Sequence, residues 1–238
     1  MPVWCWHNLQ TLEGTMSSID SISQAMTRDM QHLATVSHNI ANVNTPGYQQ
    51  RVSFDQALVQ DAAYQETIKP ATDSGPIRAS QRPLDLAIKT AGYFVLQYQN
   101  GVVLTRDGRF HINAEGLLAH ASGALPLSND GPIRVSGTDV RVEQDGSVRD
   151  NTGIVGRIRL ETAPALYPVA AGLYSAQATE PVTQIQLQPQ ALNASTVNPG
   201  TETVRMMELS RHLQSLQKAA QTYDQMLQNG INELGKSK

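Results

Sequence analysis

Two long segments with the apolar spacing of a helix, one at each end of the chain, constrain its fold more than any other feature. In both, apolar residues recur every three or four positions, the pattern of a helix that packs along one seam. The first segment runs from about residue 18 to 42 and the second from about 199 to 234, where Asn198 suits an N-cap and Pro199 a first helical position. The stripe residues are Ile19, Ile22, Met26, Met30, Leu33, Val36 and Ile40 in the first segment, and Met206, Leu209, Leu213, Leu216, Ala220, Tyr223, Leu227, Ile231 and Leu234 in the second.

An isolated helix cannot bury such a stripe, so both predicted helices need partners. One alternative is ordinary packing of the two helices on each other and on the rest of the chain. The other is self-assembly, in which the stripes bind other copies of the chain. The spacing alone leaves both alternatives open.

The first predicted helix must stop within SHNIANVNTPGYQQ, residues 37–50. Pro46 disfavours the helical region for Thr45, and Gly47 can adopt a positive φ. The side chains of Asn39 and Asn42 can hydrogen-bond to nearby backbone. These residues predict a sharp bend directly after the helix.

The middle of the chain has the pattern of a β domain. Short apolar or alternating runs predict strands at 84–88, 93–98, 102–106, 109–112, 139–144, 157–162 and 183–188. Turn dipeptides separate several of them, and Asp107-Gly108 and Asp145-Gly146 predict tight hairpins. Strands do not alternate with helices here, so we expect an antiparallel arrangement.

The predicted fold is therefore α+β, with terminal helices that pair as a coiled-coil-like domain and a central, mainly antiparallel β domain. A short helix is predicted near 53–65 within the connector. The predicted divisions are an N-terminal extension at 1–15, the N-terminal helix at 16–45, the connector at 46–75, the β domain at 76–190 and the C-terminal helix at 191–238.

Composition and motifs exclude several function classes. The 238 residues carry a net charge of −3, with no basic stripe for nucleic acid and no apolar run near the roughly 18 residues of a membrane span. The single cysteine, Cys5, excludes an internal disulfide, and the first fifteen residues lack the features of a cleavable Sec signal. No histidine pair has metal-ligand spacing, and no phosphate-binding or nucleophile motif is present. We expect no enzyme activity, cofactor, metal or small-molecule substrate, and we interpret Arg106, Asp107 and Arg109 as charged flanks of a hairpin rather than a charged site.

The stretch at 37–50 resembles the N-terminal signature of bacterial flagellar rod and hook proteins, approximately N-L-A-N-x-x-T-P-G-Y. The resemblance continues through residues 80–123, where Thr105, Arg106, Gly108, Phe110 and Gly116 fit the pattern, and into the final helix. The stretches RPLDLAI and GPIRV are most similar to proximal-rod members, with distal-rod members next. The residues that match the signature are Asn39, Ile40, Ala41, Asn42, Thr45, Pro46, Gly47 and Tyr48.

Two departures concern the C-terminal part. The family's S-N-V before the last helix is Ser195-Thr196-Val197 here, and an aromatic-Glu pair common in that helix is absent. The large insert of hook proteins is also missing, which disfavours a hook subunit.

The resemblance implies a structural subunit of the basal-body rod, with a distal-rod or hook-type axial subunit as the alternative. Subunits of this family would pass through the flagellar export apparatus, assemble in the periplasm with copies of themselves and other rod proteins, and transmit motor torque to the hook and filament. The terminal helices would line an inner tube, and their stripe residues would form the assembly interface.

Overall fold

The computed structural model describes residues 4–52, 75–99, 101–137 and 139–236, with side chains in the first helix from Ile19 onward. The short helix predicted near 53–65 lies outside these residues. The chain divides into two compact units. The first unit comprises Met1–Ser37 and Gly200–Lys238, and the second comprises His38–Pro199.

Both predicted terminal helices are present. Helix α2 is Pro199–Lys236 and begins at the predicted residue. Helix α1 is Trp4–Ala41, so it starts well before the predicted position near residue 18 and includes most of the segment that we predicted as a separate extension. The predicted start of the helix was placed at the beginning of the apolar stripe. Helix formation needs no stripe, and residues 4–17 contain no proline that would stop a helix.

Within the first unit, α1 and α2 contact each other. Nδ1 of His212 lies 2.5 Å from Oδ2 of Asp29. Ile22 and Met26 of α1 and Ala220 of α2 line an apolar groove of about 340 Å³. These contacts place the two helices side by side locally, whereas coiled-coil pairing along the whole stripe stays a prediction.

The second unit is built from short strands, and every strand pair in its described residues is antiparallel. The strands are β1 Ile77–Ala79, β2 Leu86–Ile88, β3 Tyr93–Tyr98, β4 Gly101–Thr105, β5 Phe110–Ile112, β6 Leu118–His120, β7 Leu125–Ser128, β8 Gly131–Pro132, β9 Arg141–Val142, β10 Ser147–Asp150, β11 Gly153–Arg157, β12 Leu160–Thr162, β13 Tyr167–Ala170, β14 Leu173–Ser175, β15 Glu180–Pro181, β16 Leu187–Pro189 and β17 Ala191–Asn193.

The largest sheet has the strand order β13-β14-β4-β3-β12-β15, with β7 and β8 attached beside β3. Strands β3 and β4 form its central hairpin, in which Phe94 pairs with Thr105 and Tyr98 with Gly101. Smaller sheets join β1 to β17, β2 to β16, β5 to β6, and β9, β10 and β11 to one another. The pairings β1–β17 and β2–β16 bring the start and the end of the unit together.

The main core lies between these sheets and is mostly aliphatic, as the low aromatic content requires. Its aromatic centre is Phe94 against Phe110, with ring centroids 5.1 Å apart in an edge-to-face arrangement. A second cluster on the other side of β3 and β4 contains Tyr93, Val95, Leu104 and Tyr174. Successive side chains of β3 therefore pack alternately into the two apolar clusters.

The two predicted hairpins have different outcomes. Asp145-Gly146 joins paired strands β9 and β10, and Gly146 has a φ of 86°, so that prediction is confirmed. The Asp107-Gly108 prediction is wrong, because β4 and β5 pair with other strands and the chain crosses between two sheets at this point. Gly108 is required there by close packing, since a Cβ would lie 1.8 Å from the Leu86 carbonyl oxygen.

Candidate functional site

The signature stretch stops α1 through local hydrogen bonds. The backbone N–H and the side-chain amide of Asn42 both donate to the carbonyl of His38, at 3.2 and 2.8 Å. The Thr45 hydroxyl donates to Oδ1 of Asn42 at 3.2 Å. These bonds occupy groups at the helix end, and Gly47 then turns the chain with a φ of 67°.

Asn39 holds the chain that returns past the helix end. Its Oδ1 accepts the Arg51 N–H at 2.9 Å, and its Nδ2 donates to the Arg51 carbonyl at 3.0 Å. The Tyr48 hydroxyl also donates to Oδ1 of Asn39, at 3.3 Å. Asn39 and Tyr48 are almost fully buried. An asparagine suits this position because its side chain offers one acceptor and one donor in the geometry of a peptide group.

Gly47 lies directly against the β structure. A Cβ at this residue would be 2.2 Å from the carbonyl carbon of Arg106, so no other residue fits without movement. The Gly47 N–H donates to the carbonyl of Asn193 at 2.7 Å. The bend after the helix is therefore docked on two separate parts of the β unit.

The residues after Gly47 are fixed by two hydroxyl groups. The Gln49 N–H donates to the buried Tyr174 hydroxyl at 3.0 Å, and the Gln50 N–H donates to Oγ1 of Thr196 at 2.8 Å. The Thr196 N–H donates in turn to the carbonyl of Tyr48 at 3.1 Å. Burial raises the pKa of the Tyr174 hydroxyl far above its ordinary value, so this group stays protonated. The chain that leaves α1 thus pairs with the chain that enters α2.

Arg106 supports the same region from inside the β unit. It is 2% exposed, and its Nε donates to the carbonyl of Gly92 at 2.9 Å while one terminal nitrogen donates to the carbonyl of Thr90 at 3.1 Å. Its guanidinium lies over the Tyr93 ring, 5.3 Å from the centroid. Burial lowers the pKa of Arg106. Our interpretation of Arg106 as a hairpin flank is wrong, because the side chain is a buried anchor.

Asp107 and Arg109 form a compact ion pair next to this anchor. The closest approach is 2.6 Å, between Oδ2 of Asp107 and a terminal nitrogen of Arg109, and Nε2 of His120 lies 3.4 Å from the same oxygen. Burial alone would raise the pKa of Asp107, but the contacts with His120 and Arg109 outweigh it and lower that pKa. The pair is a structural link and not the solvated turn that the sequence indicated.

The residues that match the signature fall into two groups. Asn39, Gly47 and Tyr48 are buried, whereas Ile40, Asn42, Thr45 and Pro46 are half-buried and Ala41 is exposed. Three residues that complete this site were missed by sequence reasoning: Tyr174, Asn193 and Thr196. No spacing points to the first two. The departure from the family's S-N-V did mark the position of Thr196.

The predicted assembly residues lie along both helices with differing exposure. Val36 and Leu213 are buried, and Ile19 and Leu227 are exposed by 39% and 42% of their surface. The side chain of Ile231 lies outside the described residues. The half-buried members are Ile22, Met26, Leu33, Ile40, Met206, Leu209, Leu216, Ala220 and Tyr223.

Within the described residues, no cluster of three or more His, Cys, Asp or Glu side chains could hold a metal ion. Neither α1 nor α2, over the same residues, has an apolar stretch that could cross a membrane. The groups around Asn39, Gly47 and Tyr174 hydrogen-bond separate segments of the backbone to one another, and none of them is an activated nucleophile. Its chemistry is that of a structural connection.

Comparison with known families gives three matches along the chain. Residues 19–49 match the family described as flagella basal body rod protein. Residues 87–149 match the D1 domain of flagellar hook protein FlgE/F/G, and residues 188–234 match the C-terminal part of the flagellar basal body rod FlgEFG proteins. The first match contains the signature residues, and the third contains Asn193 and Thr196.

Individual relatives match most of the chain. The flagellar basal-body rod protein FlgF of Caulobacter vibrioides is 32% identical over 230 residues, which cover 87% of this chain and 93% of the relative. FlgF of Mesorhizobium japonicum is 29% identical, covering 81% and 88%, and FlgG of Bacillus subtilis is 27% identical, covering 84% and 92%. The chain therefore belongs to the flagellar basal-body rod protein family, within which it is most like FlgF, and it is a structural rod subunit.

Proposed function

We propose that this rod subunit assembles with copies of itself and with other rod proteins through its terminal helices, forming the axial shaft that transmits motor torque to the hook and filament. The observation that carries the proposal is the incomplete burial of the helix stripes. Ile19, Met30 and Leu227 are exposed by 39%, 53% and 42% in the single chain. Large apolar residues in a regular stripe gain free energy when a neighbouring subunit covers them.

The proposal includes the route of export, the place of assembly and the roles of the two parts of the chain. The subunit passes through the flagellar export apparatus and assembles in the periplasm, where α1 and α2 pair as a coiled-coil-like inner domain and residues 76–190 form the outer β domain. It catalyses no reaction and needs no cofactor. The similarity to FlgG of Bacillus subtilis over most of both chains favours a distal-rod subunit as the second candidate.

The stripe of α2 provides the test. Leu213 is buried and Leu216 is half-buried on one face of the helix. Burying a leucine contributes about 1.5–3 kcal/mol, and a buried carboxylate without a partner is strongly unfavourable. Leu213→Asp with Leu216→Asp should therefore abolish rod assembly and swimming, because the stripe must stay apolar both to pack within the chain and to be covered by neighbouring subunits.

The matched control places the same two charges on the exposed face. Gln214 and Gln217 are exposed neighbours in the same turns of α2. Gln214→Asp with Gln217→Asp should leave assembly and swimming intact. Each double variant would be the only copy in the cell, with hook–basal bodies counted by electron microscopy. Normal assembly of the Leu213/Leu216 variant would refute assembly through this stripe.

A further inference from the structure

The chain leaving α1 and the chain entering α2 are fixed at one place on the β unit, which we call the turn joint. It consists of Asn39, Gly47–Gln50, Tyr174, Asn193 and Thr196. Asn39 belongs to the last turn of α1, and two residues separate Thr196 from the start of α2 at Pro199. All of these residues lie in the compact unit His38–Pro199.

Several hydrogen bonds act in parallel across the turn joint. The amides of Gly47, Gln49 and Gln50 donate to Asn193, Tyr174 and Thr196, at 2.7, 3.0 and 2.8 Å. Gln49 and Tyr174 are 1% and 0% exposed, so water does not replace these bonds readily. Three successive parts of the bend are therefore hydrogen-bonded to other segments of the unit, although the bend contains no strand.

A series of side-chain contacts connects Tyr174 to Arg106, which packs against the bend. The Tyr174 ring meets the Tyr93 ring edge-on, with centroids 6.5 Å apart, and the guanidinium of Arg106 lies over the Tyr93 ring, 5.3 Å from its centroid. The backbone of Arg106 is the surface against which Gly47 packs. The bend is therefore in contact with the Arg106 backbone at Gly47 and with the Tyr174 hydroxyl at Gln49, so a movement of the bend would disturb both contacts.

We propose that the turn joint is the mechanical connection through which torque passes between the terminal helices and the β unit, with Tyr174 and Thr196 as its positioning residues. This inference rests on the proposed torque-transmitting function. A flexible linker would let two parts of a chain rotate independently, which is the default for loosely connected units. The bonds to Tyr174 and Thr196 instead hold both the outgoing and the returning chain within the unit His38–Pro199.

The test removes both hydroxyl acceptors without changing the packing volume greatly. Tyr174→Phe with Thr196→Val leaves the buried amide of Gln49 and the half-buried amide of Gln50 without these partners. Their hydrogen exchange should accelerate by at least about tenfold, since a lost buried hydrogen bond corresponds to that factor or more. Exchange at Phe94 and Leu104 in the β core should not change. Hook–basal bodies should still form, and swimming should fail selectively in a viscous medium, where the load is high.

Tyr167→Phe is the matched control, because it removes the hydroxyl of a half-exposed tyrosine on the strand that pairs with β14. It should swim like the parent at every viscosity. Three results would overturn the proposal: unchanged swimming under load despite faster exchange at Gln49 and Gln50, equal acceleration at Phe94 and Leu104, or loss of hook–basal bodies. The Leu213/Leu216 experiment tests assembly separately, so a failure of the proposed function is distinguishable from a failure of the turn joint to transmit torque.

Discussion

Asn193 binds the backbone of Ile88 with both ends of its side-chain amide. Oδ1 accepts the Ile88 N–H at 2.7 Å, and Nδ2 donates to the Ile88 carbonyl at 3.0 Å. Asn39 binds Arg51 in the same two-bonded manner at the end of α1. Both asparagines are 1% exposed. At two positions, therefore, a buried asparagine side chain pairs with both backbone polar groups of one residue, as a neighbouring strand would.

Replacing Asn193 with alanine should destabilise the β unit. Both polar groups of Ile88 would stay buried and lose their partners, which costs about 1–3 kcal/mol for each group. We expect a loss of about 2–4 kcal/mol in the free energy of unfolding, allowing for relaxation around the site. Chemical denaturation of the purified protein, followed by tyrosine fluorescence, measures it.

Asn151→Ala is the control for this substitution, because Asn151 is an exposed residue in the turn between β10 and β11. It should change the free energy of unfolding by less than about 0.5 kcal/mol, as is usual for surface substitutions. Equal effects of the two substitutions would contradict the role of the Asn193 side chain. Asn193→Asp keeps the acceptor but places a buried carboxylate oxygen against the Ile88 carbonyl, so it should destabilise the unit at least as much as Asn193→Ala.

Gly47→Ala should be more damaging than a glycine substitution in open space. Gly47 has a φ of 67° and no room for a Cβ, whereas Gly123 has a φ of 83° with no atom within 4 Å of the added Cβ. Gly123→Ala thus carries only the backbone strain of about 1–2 kcal/mol. Gly47→Ala adds the clash with Arg106 and should expose the Gln49 amide to exchange. Comparable melting temperatures for the two variants would argue against the close packing.

The parts of the fold that were predictable depend on repeated local patterns. The stripes located both helices, and the apolar run at 93–98 matched β3 residue for residue. The single strand predicted at 157–162 is wrong, because β11 ends at Arg157 and β12 begins at Leu160, with Ile158 buried between them. Strands of two or three residues, such as β8 and β15, carry too few positions to show alternation.

The candidate site was predictable only on its signature side. Pro46 and Gly47 predict a bend through their own backbone preferences, so the bend could be located from the sequence alone. Tyr174 and Asn193 act through contacts with residues more than a hundred positions away, and no local spacing records such contacts. Arg106 was misinterpreted for the same reason. A charged residue beside Asp-Gly usually flanks a solvated turn, and only the crossing between two sheets buries it.

The ion pair of Asp107 should make stability depend on pH at the acidic end. The pKa of Asp107 is lower in the folded protein than its ordinary value near 3.9, so the carboxylate stabilises the fold above that ordinary value. This contribution is lost as the pH falls through the folded pKa. The difference in unfolding free energy between the parent and Asp107→Asn should therefore be largest at neutral pH and should shrink below about pH 4.

Asp139→Asn serves as the comparison for Asp107. Asp139 and its partner Arg141 have side chains that are 61% and 77% exposed, and such surface pairs contribute little. Its effect should be small at every pH. Denaturation curves at neutral and acidic pH would measure both variants, and a pH-independent effect of Asp107→Asn would show that the ion pair does not stabilise the fold.

The last prediction concerns the boundary of the β unit. The sequence indicated a domain that ends near residue 190, but β17 pairs with β1 through Ile77–Asn193, Arg78–Leu192 and Ala79–Ala191. Asn193 also binds Ile88 of β2, as described above. A fragment of residues 75–197 should therefore unfold cooperatively on heating. A fragment of residues 75–190 should melt at a clearly lower temperature, because it leaves β1 unpaired and the backbone of Ile88 without its partner. Circular dichroism of the two fragments makes the comparison, and identical melting curves would show that β17 and Asn193 contribute nothing to the stability of this unit.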